Sequence, residues 1–196
     1  MTSPYHSVAK KNWGRKTKAL IAAHPLEEKE IVEVVLGCWD SIFKSRLGDK
    51  GFKIGKHIFP KPQIMGFLLH ELIPLEFAAR YPTVWRAEST SGDKDLVYIP
   101  DPKLSVEIKT SSDKAHIYGN RSYAQKSGAT KKSKSGYYIA VNFEKFTKKR
   151  KNPKVVLVRF GWLDHSDWMG QVAASGQQAR LDPNTEKAKL QTLYHS

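Results

Sequence analysis

Asp95, Glu107 and Lys109 are the residues whose types and spacing suit one piece of chemistry. They flank Pro100-Asp101-Pro102, which predicts a turn. After the turn, Leu104, Val106 and Ile108 alternate with Ser105, Glu107 and Lys109, the pattern of a strand with one face in the core and the other carrying charge. Running out along Leu96 to Ile99 and back along Leu104 to Thr110 returns Glu107 to the level of Asp95, so two carboxylates and an ammonium converge. Asp93 is an alternative first acid, and Asp95 is preferred because it abuts the apolar run. Two carboxylates, the Ile108 carbonyl and a substrate phosphate oxygen form a hard-oxygen set suited to Mg2+. Lys109, on the same face as Glu107, can orient an attacking water and favour its deprotonated form.

An acid followed two residues later by Lys also occurs at Glu27 to Lys29 and Asp101 to Lys103. Those pairs fall in a helix and a turn, so only Glu107 to Lys109 sits in an alternating apolar strand behind an acid-led strand. Several elements must position it. Pro25 opens a helix whose Ile31, Val34, Val35, Cys38 and Ile42 recur at helical spacing until Gly48. Pro62 opens a second, with Ile64, Phe67, Leu68, Leu72 and Leu75 as its stripe and Pro74 expected to kink or split it. Further strands are expected at Tyr137 to Phe143 and Val155 to Phe160, with a loop and short crossover helix between Thr110 and Ser135. Residues 162–196 are expected to be helical. The order predicts an α/β domain, a mixed sheet flanked by helices.

Lys plus Arg number 33 against 19 acids, a net charge of +14 in 196 residues. Residues 1–20 carry five bases and no acid, and residues 121–150 carry nine bases against Glu144, so the excess lies where a polyanion can be gripped. Residues 1–24 are read as a basic arm and 25–196 as one domain, with its core at about 60–160. No apolar run reaches the length of a membrane span and no secretory signal is visible, so a cytoplasmic protein is expected. A single cysteine, Cys38, excludes disulfide scaffolds and Cys-rich zinc sites. No Gly-Lys-Ser/Thr phosphate loop occurs, which speaks against a nucleotide cofactor.

The acid, then Glu107-x-Lys109, resembles the PD-(D/E)xK nuclease superfamily. Gly66 to Glu71 resembles the Gly-x-x-x-Glu helix of the MutH and Sau3AI type of endonuclease, with one residue too many before the acid. Glu71 is the preferred extra carboxylate, and His70, Glu76 and Glu88 are rivals. Ile117 to Gln125, Gly136 to Phe143 and Phe160 to Asp164, taken with the site block, are similar to the ScaI family of type II restriction endonucleases over roughly residues 60–180. That resemblance implies a restriction-endonuclease-like core, cleavage of double-stranded DNA at a short palindrome, a bacterial or archaeal source and a homodimer cutting both strands. Asn120, Arg121, Tyr123 and Gln125 are side-chain types able to contact phosphates or base edges, and Lys126, Lys131, Lys132 and Lys134 supply charge. The helix from Leu26 to Arg46 is a candidate dimer contact or internal core. The alternatives are a structure-specific or repair nuclease on the same core, and a basic nucleic-acid-binding module without catalysis.

Overall fold

In a computed structural model, residues 2–124, 132–172 and 176–196 are described. The chain forms helices α1 (Trp13–Ala22), α2 (Glu28–Lys44) and α3 (Pro62–Arg80), then strands β1 (Trp85–Ala87), β2 (Leu96–Tyr98), β3 (Val106–Ser111), β4 (Tyr118–Asn120), β5 (Gly136–Phe143) and β6 (Val155–Leu163). It closes with β7 (Trp168–Gly170), β8 (Gln178–Leu181), helix α4 (Pro183–Lys189) and β9 (Leu190–His195). The main sheet runs β1-β2-β3-β5-β6-β9, with β3 and β5 parallel and the other neighbours antiparallel. The mixed sheet flanked by helices is therefore as expected.

Period-two alternation divides the core. Val106, Ile108, Tyr137, Ile139, Val141, Val158 and Phe160 lie in one buried cluster with Ile31, Val34, Val35, Leu69, Ile73 and Phe77 of α2 and α3. Tyr138 and Ala140 point the other way, into a second cluster with Ile117, Tyr123, Trp168 and Leu181. A small antiparallel sheet, ordered β4-β8-β7, supplies much of that layer. Glu107 and Lys109 alternate with Val106 and Ile108, so they face the small-sheet side. The buried face of α2, with Ile31, Val34, Val35, Cys38 and Ile42, is internal core; truncating Ile31, fully buried, to Ala should cost about 2–5 kcal/mol.

Several expectations need correction. α3 runs through Pro74 rather than splitting there; the missing Pro74 N–H simply leaves the His70 carbonyl without its helical donor. Residues 13–22 form α1, with Tyr5, Thr17 and Ile21 buried, so much of the segment read as an arm is docked on the domain. The C-terminal stretch holds more strand than helix: Gln178–Leu181 alternates between exposed and buried, and among the described residues the one α-helix there is the seven-residue α4, capped by the Asp182 carboxylate on the N–H groups of Asn184 and Thr185. Between β3 and β5 the described residues hold β4 and a 3-10 turn, Arg121–Ala124, and no α-helix. Among the described residues no helix is long and apolar enough to cross a membrane.

Candidate active site

The β2–β3 register pairs Leu96 with Val106, which sets Asp95 opposite Glu107 as the turn arithmetic requires. Both carboxylates are 2% exposed, a placement that demands compensating partners. Asp95 Oδ2 accepts the backbone N–H of Ile108 at 2.6 Å and faces His70 Nε2 at 3.2 Å. Glu107 Oε1 accepts Lys109 Nζ at 3.0 Å and the hydroxyl of Tyr123. One oxygen of each acid is thus tied to the framework.

The other two oxygens face cations. Lys132 Nζ pairs with Asp95 Oδ1 and lies 3.0 Å from Glu107 Oε2, and Lys94 Nζ is 3.6 Å from the same Glu107 oxygen. Glu107 Oε2 is nonetheless buried with no hydrogen bond of normal geometry among the described residues. Burial works to raise both carboxyl pKa values, but it is outweighed: Asp95 by His70, Lys109 and Lys132, and Glu107 by Lys109, Lys94 and Lys132. Both acids are held ionised, below the usual carboxylate range. Burial in turn pulls the Lys94 ammonium down to about 8, and the ammonium donates to the Ser133 carbonyl at 2.6 Å.

Tyr123 comes from the 3-10 turn after β4 and is wedged there by packing. Its ring stacks edge-on against Trp168 at 5.0 Å, and the Cβ missing from Gly119 would fall 2.8 Å from it. Lys109 and Lys134 place their ammonium groups 4.6 and 4.3 Å from the ring centroid. The aromatic side chain foreseen as a DNA contact is therefore buried beneath the carboxylates. α3 approaches from the opposite layer, and a Cβ on Gly66 would meet Thr110 Oγ1 at 2.6 Å, so glycine permits the close crossing. One turn later, at the place where the Gly-x-x-x-Glu pattern has its acid, stands His70. Glu71 is half exposed and, among the described residues, touches the cluster through His70 Nδ1, at 3.3 Å.

Other expected residues separate. Asp93 is bound to Arg86 at 2.8 Å and to the N–H groups of Ser89 and Thr90, a loop clasp rather than a partner of Glu107. Glu76 pairs with Arg80 at 2.9 Å, while Glu88 Oε2 lies 3.6 Å from Lys132 Nζ. Asn120 is exposed and bonded by Ser122 Oγ, and Arg121 Nη1 donates to the Gly176 carbonyl at 3.3 Å. Gln125, Lys126 and Lys131 lie outside the described residues. A cleft of about 580 Å³ lined by Phe67, His70, Thr110, Tyr118 and Gln178 opens between α3 and the small sheet. Sequence reasoning missed Lys94, although it sits between two weighed aspartates, and no local signal announces that Lys132 reaches Asp95 across 37 residues.

The donor set fits a hard divalent cation. Among the described residues no group of three or more His, Cys, Asp or Glu stands at metal-binding spacing; two carboxylates and a carbonyl suit an ion that retains most of its water. Glu107 Oε2, buried without a hydrogen bond among the described residues, and Asp95 Oδ1 are the oxygens that both face the Lys132 ammonium; the Ile108 carbonyl belongs to the same strand as Glu107 and lies 3.3 Å from Lys109 Nζ.

A family model described as the ScaI restriction endonuclease matches residues 3–194. Type II restriction enzyme ScaI of Streptomyces caespitosus is 47% identical over 194 residues, covering 98% of this chain and 85% of that protein. No solved structure matches the chain. The likeness expected over residues 60–180 thus extends almost from end to end, across both sheets and the helices that carry His70, Asp95, Glu107 and Lys109: the chain belongs to the ScaI restriction endonuclease family.

Proposed function

We infer that Asp95, Glu107 and Lys109 form the site at which this restriction endonuclease hydrolyses phosphodiesters of double-stranded DNA at a short palindrome, with Mg2+ held by Asp95, Glu107 and the Ile108 carbonyl. The observation that carries the reading is the opposition of two ionised, buried carboxylates across β2–β3 with the Lys109 ammonium 3.0 Å from Glu107. A magnesium ion bound there supplies charge neutralisation at the phosphoryl group and lowers the pKa of a water. The chain's own residues do the rest. Glu107, steadied by Tyr123 and Lys109, would be one of the residues that hold the ion. Lys109 holds the attacking water and favours loss of its proton. His70 and the Ile108 N–H fix the rotamer of Asp95.

Each chain carries one such site and a duplex presents two scissile phosphates related by a dyad, so the reading includes a homodimer whose two copies read the same half-sequence. Asn120, Arg121, Gln125, Lys126, Lys131 and Lys134 are proposed as DNA contacts, and the bacterial or archaeal cytoplasm as the place of action. Incubating the protein and Mg2+ with DNA of known sequence, then mapping the fragment ends, tests the function. Discrete fragments all ending at one palindrome are expected, and intact DNA or random ends would reject it.

A further inference from the structure

The two carboxylates share a cation already. Asp95 Oδ2 is engaged by the Ile108 N–H and His70, and Glu107 Oε1 by Tyr123 and Lys109. The remaining pair, Asp95 Oδ1 and Glu107 Oε2, both meet the ammonium of Lys132, with 3.0 Å to the glutamate oxygen. A divalent ion bridging the acids needs those same two oxygens at about 2.0–2.1 Å, so the ammonium and the ion cannot be seated together. Of the three ammonium groups, Lys132 is the one that meets both of those oxygens. Lys109 is fixed by its strand beside Glu107, and Lys94 is anchored on the Ser133 carbonyl. Lys132 reaches in from the segment preceding β5, outside the β2–β3 framework.

Charge points the same way. Lys94, Lys109 and Lys132 set three positive charges against Asp95, Glu107 and the Glu88 carboxylate 3.6 Å from Lys132, so the cluster is already balanced and a divalent ion added to the full set makes it net positive. A DNA phosphate supplies the missing negative charge and a new partner for a displaced ammonium. We propose that Lys132 is a resident counter-cation at the metal seat, exchanged for the divalent ion as DNA arrives, so that metal uptake depends on substrate. This rests on the metal-binding reading of Asp95 and Glu107 given above.

The test is Mn2+ titration of the full chain without DNA, with free Mn2+ followed by electron paramagnetic resonance. Removing a close, desolvated charge should tighten binding in Lys132→Gln about tenfold or more over wild type. Lys132→Arg, which keeps the charge, should bind as weakly as wild type and separates loss of charge from loss of fold. Glu107→Gln placed in the Lys132→Gln background should remove the binding. Equal Mn2+ affinity in wild type and Lys132→Gln, undetectable binding in both included, overturns the exchange. If Lys132→Gln binds tightly but Glu107→Gln leaves that binding unchanged, the ion lies elsewhere, and the metal reading fails together with the exchange.

Discussion

Asp95 accepts the backbone N–H of Ile108 at 2.6 Å, so the first acid is fastened to the strand that carries the second. Because Ile108 lies between Glu107 and Lys109, one hydrogen bond fixes the offset of all three groups. A slip of one residue in the β2–β3 register would send Glu107 and Lys109 to the helical face and break the site outright.

Tyr123→Phe deletes only the hydroxyl on Glu107 and leaves the ring under Trp168 and Lys109. The expected result is a fall in kcat and weaker metal binding, of about 10-fold for a partner that orients a metal-binding carboxylate. Single-turnover rates at several Mg2+ concentrations measure both. A variant that matches wild type in rate and metal dependence would reduce Tyr123 to a packing residue.

His24 gives the fold a pH dependence. Its Nδ1 accepts the Leu26 N–H at 3.1 Å, so Nε2 carries the proton and donates to the Leu104 carbonyl at 2.9 Å, at the turn leading into β3. Burial lowers its pKa to about 4. Between there and the unfolded value near 6.5, the unfolded chain binds more protons. The stability is therefore complete above about pH 6.5 and drains away on acidification, by at most about 1.4 kcal/mol per unit. Urea denaturation at pH 7 and pH 5 should show wild type losing about 2 kcal/mol more than His24→Gln. Parallel losses in the two proteins would remove His24 as the cause.

The legible part of this molecule was local. The alternation from Leu104 to Lys109 and the Pro100–Pro102 turn sufficed to place Asp95 opposite Glu107, and the helical stripe of α2 was visible in Ile31, Val34, Val35 and Cys38. What could not be read were contacts made through space. Tyr123 looked like a DNA contact because nothing nearby in the chain shows Trp168 and Gly119 closing over it. The C-terminal strands were missed because β8 is short and pairs with β4, some 60 residues earlier. Residue type favours Glu71 over His70, whereas the packing of Gly66 on Thr110 decides which of the two faces Asp95.

Basic side chains on α1 and the turn before it test the spread of the DNA surface. Lys10, Lys11 and Arg15 are exposed, and removing one ion pair with a phosphate should flatten the plot of log K against log salt by about 0.9. Fluorescence anisotropy of the triple Gln variant across a salt series measures the slope. An unchanged slope assigns these residues to plain solvated surface.

A dimer is expected on DNA. Sedimentation on a duplex bearing the mapped palindrome should give two chains per duplex, with both strands cut in one binding event. One chain per duplex combined with concerted double-strand breaks would contradict a twofold arrangement.

Binding and cleavage come apart most directly in Glu107→Gln, a substitution that keeps the shape and removes one charge from the cation position. With the metal seated between Asp95 and Glu107, this variant should bind the mapped duplex with an affinity near that of wild type and cleave it at least about 10³-fold more slowly in Mg2+, the scale set by loss of metal-ion stabilisation. Cleavage at the wild-type rate would contradict that assignment and move the active site away from Asp95, Glu107 and Lys109.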